Sequence, residues 1–339
     1  MFSPINTARL VIRSMRPDDG FGLWERRNDP EVARYQDWIT PFPRQKADQI
    51  ARDCAAVDGP QVDDWWMATI ELADSGEVVG DLAVHIENEG HTAEIGYTLG
   101  SAYWQQGYAL EAAEALVDYL FESVGVDRVF GMLHPDNRPS AMVLERIGML
   151  FEGHTLMSFW LDGEGSDDWI YGMLRADWEA WRSRRRTPPG EVRLVEITAE
   201  NLAVVSGLRT HRSQEAFVAP MARSLAQALR PGTRDGVSIH PWLRAIEADG
   251  EIVGFSMLAL VEGRDPYLWR LLIDRLHQRR GVATRAMSLL EEEAGGLGGA
   301  YLVLSFGEGR GSPGDFYRSR GYEPTGEVHG GEVELRKRV

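Results

Sequence analysis

Two short stretches of this chain carry the residue types that bind an anion on main-chain N–H groups. They are Trp104-Gln105-Gln106-Gly107-Tyr108-Ala109 and His277-Gln278-Arg279-Arg280-Gly281-Val282-Ala283. Each follows an apolar stretch and opens an amphipathic helix. The first N–H groups of a helix have no intrahelical partner and lie at the positive end of the helix dipole. Gly107 and Gly281 remove a Cβ, so a phosphate oxygen can approach the main chain, and Ala109 and Ala283 are small enough not to block it. The same Gly-x-Ala pattern also packs a helix closely on a strand. The loop by itself therefore leaves both readings open.

The loop is part of a longer repeat. Trp104–Ala109 and Gln278–Ala283 are related by an offset of 174, and so are Glu77-Val78-Val79-Gly80 and Glu251-Ile252-Val253-Gly254. Ile147-Gly148-Met149 recurs as Arg320-Gly321-Tyr322 at an offset of 173. A period this long signals two copies of a domain, not a solenoid.

The elements around the loops follow from periodicity and turn residues. In the first copy residues 7–13 alternate as a half-buried strand, and Arg16-Pro17-Asp18-Asp19 starts a helix. Residues 44–57 read as a second helix, after a loop bearing Tyr35, Trp38, Pro41 and Pro43. Strands are expected at 65–72, 77–86 and 92–99, then a helix over 107–123, a strand over 128–133 and a helix over 137–147. Two closing strands follow near 150–160 and 168–174. Thr187-Pro188-Pro189-Gly190 has the composition of a linker. The second copy starts at Val192–Ile197, has a helical segment within 200–236, and then repeats the strand and helix order. The expected division is residues 1–178, a tail helix and linker over 179–190, and residues 191–339.

This order and the loop Gln278-Arg279-Arg280-Gly281-Val282-Ala283 resemble the GNAT acyltransferase superfamily, whose pyrophosphate loop reads Q/R-x-x-G-x-G/A. The resemblance covers nearly all of the chain and implies an α/β (α+β) fold with two such domains. Each would be a mixed, mostly antiparallel sheet of about seven strands with flanking helices. The first copy is similar to the ribosomal-protein N-terminal acetyltransferase branch through Thr7-Ala8-Arg9-Leu10, Asn28–Tyr35, Ala93-Glu94-Ile95-Gly96-Tyr97, Tyr103–Ala109 and His134–Ser140. That branch acetylates small amines as well as proteins. The second copy is similar to the spermine/spermidine acetyltransferase branch through Tyr267–Asp274, the loop, Gly307–Pro313 and Phe316–Glu327. Cationic polyamine substrates are what that likeness implies.

The resemblance implies acetyl-CoA as co-substrate and assigns roles residue by residue. Acetyl transfer to an amine needs a base for the ammonium proton, a polarised carbonyl, a stabilised thiolate and close reactants. The coenzyme would be held by Gln105, Gln106, Gly107, Tyr108, Ala109 and Asn137 in the first copy, and by Gln278, Arg279, Arg280, Gly281, Val282 and Ala283 in the second. Glu94, on the strand that borders the thioester, is the expected base; the alternative is a surface Glu of an alternating strand. Leu144 stands where many relatives carry an acidic Tyr, and Ser140 is the nearest hydroxyl for the thiolate or else a helix cap. Asn137 could equally close an Asx turn. Tyr317 occupies the Tyr position of the second copy, as the thiolate's acid or as a core tyrosine. No base is evident there: Trp269-Arg270 occupies the region of Glu94, and Glu308 and Asp274 lack positional support.

Composition sets the remaining bounds. The chain has 339 residues, 43% of them hydrophobic, and a formal net charge of −16. Residues 1–190 hold 17 Lys and Arg against 32 Asp and Glu, a net of −15, whereas residues 191–339 hold 19 against 20, a net of −1. An acidic first half disfavours nucleic acid and suits a cationic substrate, although acidic surface also serves solubility. No apolar run reaches the ~18 residues of a membrane span, and Met1–Asn6 lacks the regions of a signal peptide. One cysteine, Cys54, permits no intrachain disulfide and no Cys-based zinc cluster, and the scattered histidines give no metal spacing. No metal and no oligomer are predicted, and a cytoplasmic location is expected. The expected activity is acetyl transfer from acetyl-CoA to a primary amine of a small cationic molecule. The alternatives are a tandem in which one copy is catalytic and the other structural or acetyl-CoA-sensing, as in mycothiol-synthase-like chains, and peptide N-terminal acetylation.

Overall fold

Thr7 cuts the alternating segment at residues 7–13 in two. Its N–H and Oγ1 pair with the Leu10 carbonyl and N–H, turning Ile5–Asn6 (β1) back on Leu10–Ser14 (β2), whose Leu10 and Ile12 are fully buried. In this computed structural model, which describes residues 2–339, one unit ends at Arg182 and a second runs from Ser183 to Val339.

In the first unit β2 leads to helices Gly20–Asn28 (α1), Pro30–Ala33 (α2) and Arg44–Ala55 (α3). Asp29 separates α1 from α2 because its side chain caps the Glu31 N–H ahead of Pro30. Strands Trp65–Leu72 (β3), Val78–Glu87 (β4) and Thr92–Leu99 (β5) follow, then helix Tyr108–Tyr119 (α4) and strand Arg128–Leu133 (β6). Helix Arg138–Arg146 (α5) and strands Leu150–Leu161 (β7) and Glu164–Leu174 (β8) close the sheet. The strand order is β1-β2-β3-β4-β5-β6-β8-β7, with β5–β6 the parallel pair. Ala112, Ala113, Leu116 and Val117 of α4 pack on one face with Leu82, Val84, Ala93 and Ile95. Met15, Leu23, Ala47 and Met67 fill the other, beneath α1 and α3. Arg26 of α1 fixes that second layer through a buried pair with Asp81 of β4, 2.8 Å apart. Helix Arg175–Ser183 (α6) starts earlier than its Trp/Arg composition suggests. Trp178 bonds Asp118 of α4 at 2.8 Å and stacks on Phe121, which ties the helix to the first sheet's core.

The second unit repeats the plan. Strand Val192–Val195 (β9) is followed by helices Leu202–Ser206 (α7) and Met221–Leu229 (α8), and by a small hairpin, Thr233–Arg234 (β10) with Val237–Ser238 (β11). Strands His240–Ala248 (β12), Glu251–Leu260 (β13) and Tyr267–Ile273 (β14) lead to helix Val282–Gly296 (α9). Strand Tyr301–Gly307 (β15), helix Gly314–Ser319 (α10) and strands Glu323–His329 (β16) and Glu332–Arg338 (β17) complete the unit. The order is β16-β17-β15-β14-β13-β12-β9, with β14–β15 parallel. Both units are thus α/β folds built on mixed sheets of seven to eight strands with flanking helices. Among the described residues no helix is long and apolar enough to cross a membrane, and no cluster of His, Cys, Asp and Glu could hold a metal ion.

Candidate active sites

The two loops have one geometry. Trp104 and Gln278 are extended, Gln105 and Arg279 turn left-handed at φ 62° and 58°, and Gly107 and Gly281 do so at 83° and 79°. Two left-handed residues in four turn the strand end into the helix start, and glycine takes the second at no steric cost. The first loop residue does the same job in both copies. The Trp104 Nε1–H donates to the Leu99 carbonyl at 3.0 Å, and the Gln278 amide donates to the Ile273 carbonyl at 3.0 Å. No side chain caps the N-terminus of α4 or α9. The leading N–H groups therefore stay open to an anion of pyrophosphate size.

Side chains around the loops differ. Arg9 donates to the Gln106 carbonyl at 2.8 Å, pairs with Glu111 at 2.7 Å and lies 4.6 Å over the Tyr108 ring. It brings to the first loop a cation that in sequence belongs only to the strand motif Thr7-Ala8-Arg9-Leu10. In the second loop Arg280 is only 3% exposed. Its guanidinium donates to the Thr187 carbonyl and to His277 Nδ1, both at 2.9 Å, so only its main chain faces the loop. Arg279 stays exposed.

Each loop follows a strand that stops pairing with its parallel neighbour. The β5–β6 ladder ends at Glu94↔Phe130, and the β14–β15 ladder ends at Leu268↔Leu304. Main-chain groups beyond these points are free to accept an extended ligand as an added strand. Glu94 stands at the end of the first ladder, opposite His85 of β4 on the α1–α3 face. Burial, then the charges of Glu87, Asp37 and Asp168, push its carboxyl up to about 7. Trp65 stacks on His85 and Tyr35 on His134, with ring centroids 5.1 and 5.3 Å apart. The loop that brings Asp37 is held by Trp38, which donates to the Arg27 carbonyl at 2.9 Å while the Arg27 guanidinium covers its ring.

Three residues on, Tyr97 points to the α5 side. Its hydroxyl lies 2.9 Å from both Ser140 Oγ and the Ser140 carbonyl. Burial raises the Tyr97 phenol and keeps it protonated. Asn137 caps α5, accepting the Ser140 N–H at 3.3 Å. Leu144 is core, against Gly131. A phenol from β5, rather than one at position 144, thus lies beside Ser140. In sequence Tyr97 reads only as a strand tyrosine of the Ala93–Tyr97 motif; its contact with Ser140 comes from the fold.

In the second unit Tyr317 is 8% exposed and packs against Phe306, Phe316 and Tyr322. Burial raises its phenol and keeps it protonated. The sheet register corrects the region expected to match Glu94. Gly80↔Leu99 corresponds to Gly254↔Ile273, and counting back along the ladder reaches His85↔Glu94 and Ala259↔Tyr267. A bulge at Trp269 absorbs one residue, so Tyr267, not Trp269-Arg270, holds the station of Glu94. Asp274 is spent on the turn after β14, accepting the Leu276 and Arg209 N–H groups at 2.9 and 2.8 Å. Glu308 is exposed beside Arg318.

Comparison with known proteins identifies the two units. Residues 9–150 match the model of the acetyltransferase (GNAT) domain, and residues 208–322 match that of the acetyltransferase (GNAT) family. An uncharacterized N-acetyltransferase, p20, of Bacillus licheniformis is 34% identical over 151 residues, which are 43% of this chain and 82% of that protein. The chain belongs to the GNAT acetyltransferase family. It carries two GNAT domains in tandem and is an N-acetyltransferase. A ribosomal protein uS5-alanine N-acetyltransferase of Escherichia coli is 24% identical over 111 residues, 32% of this GNAT chain and 57% of its own length. A crystal structure of a GNAT-family acetyltransferase from Bacillus anthracis is 27% identical with a TM-score of 0.47, covering 51% of this chain and 98% of that one.

Proposed function

We propose that the first unit transfers acetyl from acetyl-CoA to a primary amine of a small cationic molecule, with Glu94 as general base. The observation that carries this reading is the Glu94 carboxyl, held near 7 at the end of the β5–β6 ladder and surrounded by Asp37, Asp168 and Glu87. A base of that strength is half ionised at neutral pH and takes a proton from an ammonium group that the neighbouring carboxylates attract. The uncapped α4 N-terminus, Gly107 and Arg9 suit the pyrophosphate, and Gln105, Gln106, Tyr108 and Ala109 complete that loop. Acetyl-CoA, when bound, supplies the thioester. Ser140 and Tyr97 present hydroxyls to the thiolate side of the gap, and Asn137 orients Ser140 by capping its helix.

The second unit offers an equivalent loop, Gln278 to Ala283, and Tyr317 as acid. Its likeness to spermine/spermidine acetyltransferases makes polyamines the first acceptors to try there. One relative's name favours a second reading, since the E. coli protein is a ribosomal protein uS5-alanine N-acetyltransferase. A mass-spectrometric screen separates the readings. The full chain is incubated with acetyl-CoA and either primary amines, from benzylamine to spermine, or Ala-initiated peptides. Acetylation of small amines is expected. Acetylated peptides with unreacted amines would overturn the proposal in favour of N-terminal acetylation.

A further inference from the structure

The second unit keeps a different group at the station of its missing carboxylate. Tyr267 Oη lies 2.5 Å from Ser305 Oγ on β15, and Ser305 Oγ donates to a Glu332 carboxylate oxygen on β17. The three residues come from the two strands that part at the coenzyme gap and from the next strand over. Their donors point one way. The carboxylate only accepts, so the Ser305 proton lies toward Glu332, and Ser305 Oγ is left to accept from Tyr267. Both lone pairs of the Tyr267 oxygen then remain for an outside donor. Tyr267 and Ser305 are half-buried and Glu332 is exposed, so the chain runs from the gap to bulk water.

The geometry points to a proton relay, Tyr267–Ser305–Glu332, as the base of a second amine-acetylating site. This rests on the reading that the chain acetylates amines. An ammonium N–H gives its proton to Tyr267 Oη as the Tyr267 proton moves to Ser305 Oγ and the Ser305 proton moves to Glu332. Glu332 becomes a neutral acid and discharges to water. The amine nitrogen then forms its bond to the acetyl carbon as the carbon–sulfur bond breaks. The second nitrogen proton leaves on the departing sulfur, by way of the Tyr317 hydroxyl.

Charged groups from several elements flank the relay, Arg223 of α8 among them. Arg234 of β10 lies 5.3 Å over the Tyr267 ring and 3.6 Å from Glu334 of β17, which also meets His329 of β16 at 3.3 Å. Arg270 reaches Gln227 of α8 at 2.6 Å. A groove of about 920 Å³ opens beside this station, with Arg234, Pro266, Thr325, Glu327 and Glu334 in its wall. Its wall adjoins Tyr267 through Pro266 and through Arg234, which covers the Tyr267 ring.

The test uses the full chain with Glu94→Gln as background, so that only the second site can deprotonate an amine. Wild type and background are first assayed with acetyl-CoA on the benzylamine-to-spermine panel. Glu332→Gln, Ser305→Ala and Tyr267→Phe are then added singly. Each should lower residual kcat at pH 7 by about 10²-fold, the low end of a general-base effect. The loss should fade at alkaline pH, where amines arrive unprotonated, and calorimetric coenzyme affinity should hold. A readout without turnover is the tyrosinate absorbance change that Tyr267→Phe abolishes. Its midpoint should fall in Glu332→Gln, which removes a negative charge, and rise in Ser305→Ala, which removes a hydrogen bond to the phenolate. A wild type inactive on every amine refutes the amine reading itself. An active wild type whose Glu94→Gln chain is dead, or whose three added variants keep the background pH–rate profile, refutes the relay alone.

Discussion

Replacing Glu94 by Gln should stabilise the first unit while it cripples the reaction. A carboxyl with an ordinary value of 4.5 that is pushed to about 7 is costly to ionise in the folded state. The sign follows from proton uptake. Between those two values the folded chain binds the proton and the unfolded chain does not, so stability is full below 4.5 and declines as pH rises through 7. The shift corresponds to at most about 3 kcal/mol. Solvent reaches this half-buried site and screens it, leaving about 1–2 kcal/mol. Gln keeps the shape without the charge, so the variant should match wild type near pH 4.5 and exceed it at pH 8. For a unit of this size that is a rise of about 2–8 °C in its melting transition. Differential scanning calorimetry of both full chains at the two pH values resolves it. Equal transitions at pH 8 would show that Glu94 is an ordinary solvated carboxylate and remove the basis for its role.

Three further outcomes follow. Gly107→Glu and Gly281→Glu each place a charge and a Cβ at a left-handed position where phosphate should sit, so each should delete one of two acetyl-CoA sites by isothermal calorimetry; unchanged stoichiometry in both would sink the loop assignment. Tyr97→Phe removes the hydroxyl at Ser140, a loss of about 1 kcal/mol, and should lower kcat roughly fivefold with coenzyme affinity kept; unaltered kcat would leave Tyr97 a packing residue. Arg26→Ala strands the buried Asp81 carboxylate and should cost the first unit about 3–5 kcal/mol in denaturant titration, whereas a loss below 1 kcal/mol would mean that this pair does not hold α1 on the sheet.

The repeated loop was legible because it is local: a left-handed glycine before a helix leaves the same mark in both copies. Strands and helices were legible from their periods, and the order of elements followed. Long-range pairings were not. Tyr97 meets Ser140 across 43 positions, and nothing in an alternating strand tells a core tyrosine from one that reaches a helix cap. Arg9 read as a strand residue, although it rests on Gln106 nearly a hundred positions away. The bulge at Trp269 was hidden for another reason. One extra residue moves every earlier side chain of a strand by a station, so only the register shows that Tyr267, and not the neighbouring Trp269-Arg270, holds the place of Glu94. The Tyr267–Ser305–Glu332 chain joins three strands and has no signature in any one of them.

If Glu94 draws the proton from a small amine, the pH dependence of kcat/KM must carry its titration. The full wild-type chain and its Glu94→Gln variant are assayed from pH 5 to 9 with saturating acetyl-CoA and the best amine of the screen. The wild-type profile should rise through an apparent value of about 7 and level above it, with Glu94→Gln lower by roughly 10²–10⁴-fold at pH 7 and without that limb. A variant that keeps the wild-type rate and the same rising limb would contradict it.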